Sequence, residues 1–153
     1  WSYGGYMTLL SMLKDDGPTT FDTGVSVAPV TDWRLYDTIY TERYMAPPQR
    51  NADGYKNGAP LAYADRLRED QHLLLVHGDD DDNVHFQNSV QMANRLQAAN
   101  KQFRFMMYPT HEHGIAGGNT RLHLFTMITD MLAEHLAPAS EMETAQMGEA
   151  TGP

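Results

Sequence analysis

Leu73-Leu74-Leu75-Val76-His77-Gly78-Asp79-Asp80-Asp81-Asp82 is the stretch that decides the fold. Four consecutive apolar residues without polar alternation describe a strand covered on both faces, as inside a parallel sheet. The run ends at His77-Gly78 and four aspartates, an abrupt passage from core to solvent. Downstream, Phe86, Val90, Ala93 and Leu96 mark one face of a helix predicted from His85 to Asn100. Phe103, Phe105 and Met107 then alternate with polar or exposed positions in a strand ending at Tyr108-Pro109. A last helix is predicted from about Asn119 to Leu136, with Leu124, Phe125, Ile128, Met131, Leu132 and Leu136 facing inward. The segment from Pro138 to Pro153 is small, acidic and aperiodic, and is expected to be a disordered tail.

Upstream, Tyr6, Leu9, Leu10 and Leu13 stand at helical spacing within Gly4 to Lys14, and Asp15, Asp16, Gly17 and Pro18 stop that helix. Gly24 to Val30 is a short β-rich run ended by Pro29 and reads as a strand. Thr31 or Asp32 is placed to cap a helix running through Trp33, Tyr36 and Tyr40 to about Tyr44. Residues 46 to 60 hold Pro47, Pro48, Gly54, Gly58 and Pro60 and read as loop. Helices alternating with strands predict a parallel α/β sheet over residues 1–137.

The chain has 153 residues, enough for one domain with a core, and 41% of them are hydrophobic. A net charge of −9 argues against a nucleic-acid partner, since phosphate binding needs a basic surface. No run of about 18 apolar residues predicts a membrane span, and the absence of cysteine excludes disulfides and thiolate metal sites. No internal repeat is visible. The chain opens at Trp1, inside what reads as a chemical motif, and is expected to be a fragment of a longer protein.

In parallel α/β sheets chemistry sits just past the carboxyl ends of the strands. Three candidates fall there: Asp81 after the Leu73–Val76 strand, His113 after the Phe103–Met107 strand, and Ser2 just before a helix. Trp1-Ser2-Tyr3-Gly4-Gly5 has the form of a nucleophile elbow, a sharp turn that exposes the Ser hydroxyl and offers the next backbone N–H, that of Tyr3, to an oxyanion. A Ser hydroxyl needs a base, which His113 would be, and Asp81 would accept the His Nδ1–H and fix its tautomer. Each piece has a plainer reading as a helix cap, a surface histidine or a solvated acidic loop. Their Ser–Asp–His order, shared with α/β-hydrolases, favours the catalytic one. A calcium loop starting at Asp79 would need Gly and Glu where Val84 and Val90 stand. His111 and His113 lack a third metal ligand at a convincing spacing, so neither metal nor cofactor is expected. Trp33, Tyr36 and Tyr40, at helical spacing, read on their own as a core stripe.

Longer motifs go further. Trp1-Ser2-Tyr3-Gly4-Gly5-Tyr6, Tyr36-Asp37 with Tyr40-Thr41-Glu42-Arg43-Tyr44-Met45, His77-Gly78 with Asp81-Asp82-Asn83-Val84-His85-Phe86-Gln87, and His113-Gly114-Ile115-Ala116 together resemble the dipeptidyl peptidase IV branch of the prolyl oligopeptidase family, from residue 1 to about 136. The resemblance implies the C-terminal part of an α/β-hydrolase fold, without the N-terminal strands and the β-propeller that relatives carry. It puts the acid of the triad on Asp81, through the pattern Asp-Asp-Asn-Val. It further implies a proline-accepting box lined by Val30, Trp33, Tyr36, Tyr40 and Val84, and a substrate-carbonyl contact at Asn83. The implied activity is release of N-terminal dipeptides with Pro or Ala at the second position, without a cofactor. A homodimer and a periplasmic or secreted location would follow from the family alone. A second oxyanion donor, a Tyr hydroxyl, would come from upstream, as would the strand that holds Ser2 against His113, so the chain by itself is expected to be inactive. Other readings on the same scaffold are an acylaminoacyl peptidase, a proline-cutting endopeptidase or an esterase, and, in a different class, an inactive homologue serving as an interaction module.

Overall fold

In the computed structural model, residues 1–14 and 21–136 are described. The expected helix stop at Asp15–Pro18 and the expected tail from Pro138 onward lie outside them. Three strands, β1 (Thr23–Val27), β2 (His72–Gly78) and β3 (Arg104–Tyr108), form one sheet in the order β1-β2-β3. Both pairings are parallel, Val25 and Arg104 each lying opposite Leu74. Helix α1 (Tyr3–Leu13) precedes β1; α2 (Thr38–Met45) and α3 (Ala52–Asn57) lie between β1 and β2; α4 (Gln87–Ala98) joins β2 to β3; and α5 (Thr120–Leu136) follows β3.

The apolar run of β2 feeds two layers at once, as the period of two in a strand requires. Leu73 and Leu75 pack with Leu9, Met12 and Leu13 of α1 and Met92 and Leu96 of α4. Leu74 and Val76 face the other way, onto Val27, Tyr108 and Leu124 and Met131 of α5. A strand sandwiched in this manner has no polar face to show, which is why its sequence does not alternate.

Four expectations need correction. The helix anticipated from Thr31 or Asp32 to Tyr44 is two pieces: a 3₁₀ turn at Trp33–Leu35 and α2. Asp32 caps only the short turn, accepting from the Arg34 N–H at 2.9 Å, while the Thr31 hydroxyl donates to the Asn88 carbonyl. Asp37 is extended and accepts from the Tyr40 N–H at 2.8 Å, so it starts a new helix where a continuous one was expected. The stretch 46 to 60 is not all loop, because Asn51 caps α3 by accepting from the Gly54 N–H. β1 stops at Val27 rather than Val30, since Ala28 takes a positive φ of 47° and turns the chain. Finally, Phe105 and Met107 remain 38% and 42% exposed, as do Phe125 and Leu136 at 50% and 62%. β3 is an edge strand of the described sheet that buries Tyr108 and partly buries Met106, both on the α5 side.

Candidate active site

Ser2, Asp81 and His113 are carried by the carboxyl-end rim of the sheet, each for a local reason. Ser2 precedes α1 with φ 56° and ψ −121°, a backbone region that costs a non-glycine residue of order 1–3 kcal/mol. Its hydroxyl makes no capping hydrogen bond, and its N–H donates to the Val27 carbonyl at 2.8 Å, tying the turn to the end of β1. The Tyr3 N–H belongs to the first residue of α1 and has no acceptor within the helix. Gly5 is needed because a Cβ there would come within 2.7 Å of the Val27 carbonyl.

Asp81 is the buried member of the aspartate run; Asp79, Asp80 and Asp82 are exposed. The run is anchored as well as solvated: the N–H groups of Asp79 and Asp80 donate to the Tyr108 and His111 carbonyls. Gly78 allows this approach, since a Cβ on it would stand 2.1 Å from the His111 oxygen. The Asp81 carboxylate meets four donors. Oδ1 accepts the N–H groups of Asn83 at 3.0 Å and Val84 at 2.9 Å. Oδ2 accepts from His113 Nδ1 at 2.7 Å and from His77 Nε2 at 3.1 Å. Burial pushes this carboxyl up, but the donors from His77, His113 and the Val84 backbone outweigh it and hold the group below the usual carboxylate range. It is therefore an anion at neutral pH. With Nδ1 donating to it, His113 leaves Nε2 as the basic nitrogen.

No hydrogen bond joins Ser2 Oγ to His113 among the described residues. The two are linked through Trp1, whose indole N–H donates to the His113 carbonyl at 3.0 Å. Arg121 completes the brace, with its guanidinium 5.7 Å from the Trp1 ring and donating to the Gly114 carbonyl at 3.0 Å. Trp1, His77 and Arg121 were not singled out from the sequence as site residues. A lone histidine at the end of an all-apolar strand was the one available signal, and it pointed at His77.

The six expected pocket residues come together. Val30, Trp33 and Val84 are buried in one cluster with Tyr6 and Tyr55, and Tyr36 packs on its flank. Tyr40 stacks on Trp33 at 6.1 Å and meets Tyr36 edge-on at 5.5 Å. Because Asp37 starts a new helix, Tyr36 and Tyr40 meet edge-on instead of standing in one continuous helical stripe. The Tyr36 hydroxyl donates to Asn83 Oδ1 at 2.8 Å, leaving the Asn83 NH₂ group free as a donor.

A parallel sheet flanked by helices, with a carboxylate–imidazole pair past its strand ends and a serine on a strained turn beside them, defines the α/β-hydrolase class. Within that class, residues 1–139 match the prolyl oligopeptidase family, and the chain belongs to it. It is 43% identical over 136 residues to dipeptidyl peptidase 4 of Felis catus, covering 88% of this chain and 17% of that protein. To the probable dipeptidyl-aminopeptidase B of Sordaria macrospora it is 46% identical over 133 residues, 86% of this chain and 14% of the relative. The crystal structure of Porphyromonas gingivalis dipeptidyl peptidase 4 superposes with a TM-score of 0.83 at 47% identity, over 88% of this chain and 18% of that one. The chain thus spans only about a sixth of the length of the relatives it matches.

Proposed function

We propose that this chain contributes the Ser2–Asp81–His113 triad and the proline-accepting pocket of a serine peptidase that removes Xaa-Pro and Xaa-Ala dipeptides from peptide N-termini. The observation that carries the reading is the 2.7 Å bond between His113 Nδ1 and the buried, four-donor Asp81 carboxylate, beside the strained Ser2 turn. Dipeptidyl peptidase relatives at over 40% identity support the substrate class.

In this reading His113 Nε2 takes the Ser2 proton as Oγ attacks the carbonyl after proline. The tetrahedral oxyanion is met by the Tyr3 N–H, a donor of the kind worth about 3 kcal/mol of barrier. The C–N bond breaks as imidazolium protonates the departing amine, giving an acyl-enzyme and neutral His113. Water then attacks with His113 again as base, and the dipeptide leaves with Ser2 restored. Asp81 stays ionised throughout and stabilises the imidazolium. The aromatic walls suit a pyrrolidine because neither side loses much rotamer freedom on contact.

The test is made in the full-length polypeptide that contains this chain. Ser2→Ala, Asp81→Asn and His113→Ala are each expected to lower kcat on a Gly-Pro amide by roughly 10³-fold or more while leaving the fold intact. A loss under about tenfold for any one removes that residue from the triad. Failure of the unaltered polypeptide to react with a fluorophosphonate would identify it as an inactive homologue.

A further inference from the structure

His77 is entirely buried in the last inward position of β2, where a histidine replaces the leucine that the strand's pattern would otherwise continue. Its ring is fully committed. Nε2 lies 2.8 Å from the Val84 carbonyl and 3.1 Å from Asp81 Oδ2. Both are acceptors, so Nε2 must carry the proton. Nδ1 lies 2.7 Å from the hydroxyl of Ser89, also entirely buried and in the first turn of α4. A neutral imidazole with its proton on Nε2 offers a lone pair at Nδ1, and Ser89 is the group that donates into it.

We propose that His77, held in its Nε2–H tautomer by Ser89, is a positioning residue that clamps the Asp81–Val84 turn and keeps the Asp81 carboxylate aimed at His113. The proposal rests on the triad reading above. One N–H grips both ends of the turn: the carboxylate at its start and the carbonyl of the pocket residue Val84 at its end. The turn is thereby tied to β2, which bears His77, and to α4, which bears Ser89. Without the clamp, Oδ2 keeps the His113 contact alone, and the Val84 carbonyl is left buried without this partner. The carboxylate can then rotate off the axis that orients the base. Misplacement by about 1 Å is enough to cost on the order of 10²-fold in rate.

Two amide substitutions separate this role from mere packing. His77→Gln carries an amide NH₂ at the depth of Nε2 and can restore the donor, whereas His77→Asn reaches only to Nδ1. In the full-length polypeptide, His77→Asn is expected to lower kcat on a Gly-Pro amide about tenfold to a hundredfold. The rate of fluorophosphonate labelling at Ser2, which does not use the proline pocket, should fall alongside it. His77→Gln should recover both to within about fivefold, at a similar melting temperature. Ser89→Ala should lower both about three- to tenfold with KM unchanged. Equal rates in the two amide variants, or a Ser89→Ala variant matching the parent in both rates, would overturn the clamp. Should neither amide variant fold, Ser89→Ala decides alone. Ser2→Ala in the same series keeps the two readings apart: retained turnover there defeats the triad itself, whereas a silent Ser2→Ala beside a fully active Ser89→Ala defeats only the clamp.

Discussion

Tyr36 joins the two halves of the proposed pocket, because its ring packs against Trp33 and Tyr40 and its hydroxyl reaches Asn83. Burial, then the nearby Asp37, Tyr40 and Asp81, push this phenol above its ordinary range, so it stays a donor through neutral pH. That donor decides which end of the Asn83 amide meets a substrate carbonyl. Tyr36→Phe keeps the ring and frees the amide to flip, so KM for a Gly-Pro amide should rise roughly two- to tenfold, the worth of one hydrogen bond, with kcat within about twofold. An unchanged KM in steady-state kinetics would show that Asn83 is oriented by something else. Ser2, Asp81 and His113 could be put forward as candidates from sequence because residue type, neighbouring glycines and order along the chain all carry information. His77, Ser89 and Trp1 could not, since their meaning lies in partners that only the fold brings within 3.1 Å. The motif around Asp81 marked it as the candidate acid, whereas the histidine four residues earlier stood out only as a polar residue closing an all-apolar strand.

At the scale of elements, α5 is fastened at its far end by an aromatic stack. The His135 ring lies parallel to that of His72 at the start of β2, centroids 3.6 Å apart. Glu134 stands 3.6 Å from His135 Nε2 and is itself paired with Arg104 of β3. Burial, then the facing His72 and Arg104, outweigh Glu134 and hold His135 below its ordinary value. A histidine depressed in the folded state binds its proton more readily when unfolded, so folding is favoured above about pH 6.5 and weakened as pH falls below it. Protection factors in the last two turns of α5, taken relative to the intrinsic exchange rate at each pH, should therefore fall between about pH 7.5 and 5.5, more than in α4. His135→Gln should flatten that difference, and an unflattened profile would place the sensitivity elsewhere. Elements with a strong periodic signal, β2 and α4 above all, were readable in advance to within two residues. The 31–44 segment was not, because Asp37 is at once a tolerable helix interior residue and a good cap, and the choice is made by Tyr36 turning toward Asn83. β3 misled for the opposite reason. Its apolar alternation is real, but on an edge strand one apolar face stays uncovered among the described residues.

For the molecule as a whole, the decisive quantity is how firmly these 153 residues alone hold Ser2 against its own strain. The Ala28 N–H donates to Val76 across the β1–β2 pair, so the Val27 carbonyl points to the opposite edge of β1. There the Ser2 N–H meets it. Beside that edge Met7 and Phe21 are exposed apolar side chains, lining one cleft with Thr23 and Val25. The restraints on the elbow are this bond, the N–H groups of Gly4 and Tyr6 donating to Trp1 and Ser2, and the Trp1 indole on His113. At about 1 kcal/mol each, several such bonds only offset a positive-φ serine costing of order 1–3 kcal/mol, and leave little surplus to fix its χ1 on the His113 nitrogen. With a single backbone oxyanion donor added, the isolated chain should fold around β2 and yet not turn over. We expect its hydrolysis of a fluorogenic Gly-Pro amide to equal that of its own Ser2→Ala variant, while circular dichroism shows helix and strand and hydrogen exchange shows protection across β2. Turnover well above the Ser2→Ala level would mean that the elbow is rigid without a strand docked on the outer edge of β1. The Trp1–His113 brace would then be stronger than its one hydrogen bond suggests, and Arg121→Ala, which removes the guanidinium over the Trp1 ring, would be the variant to abolish it.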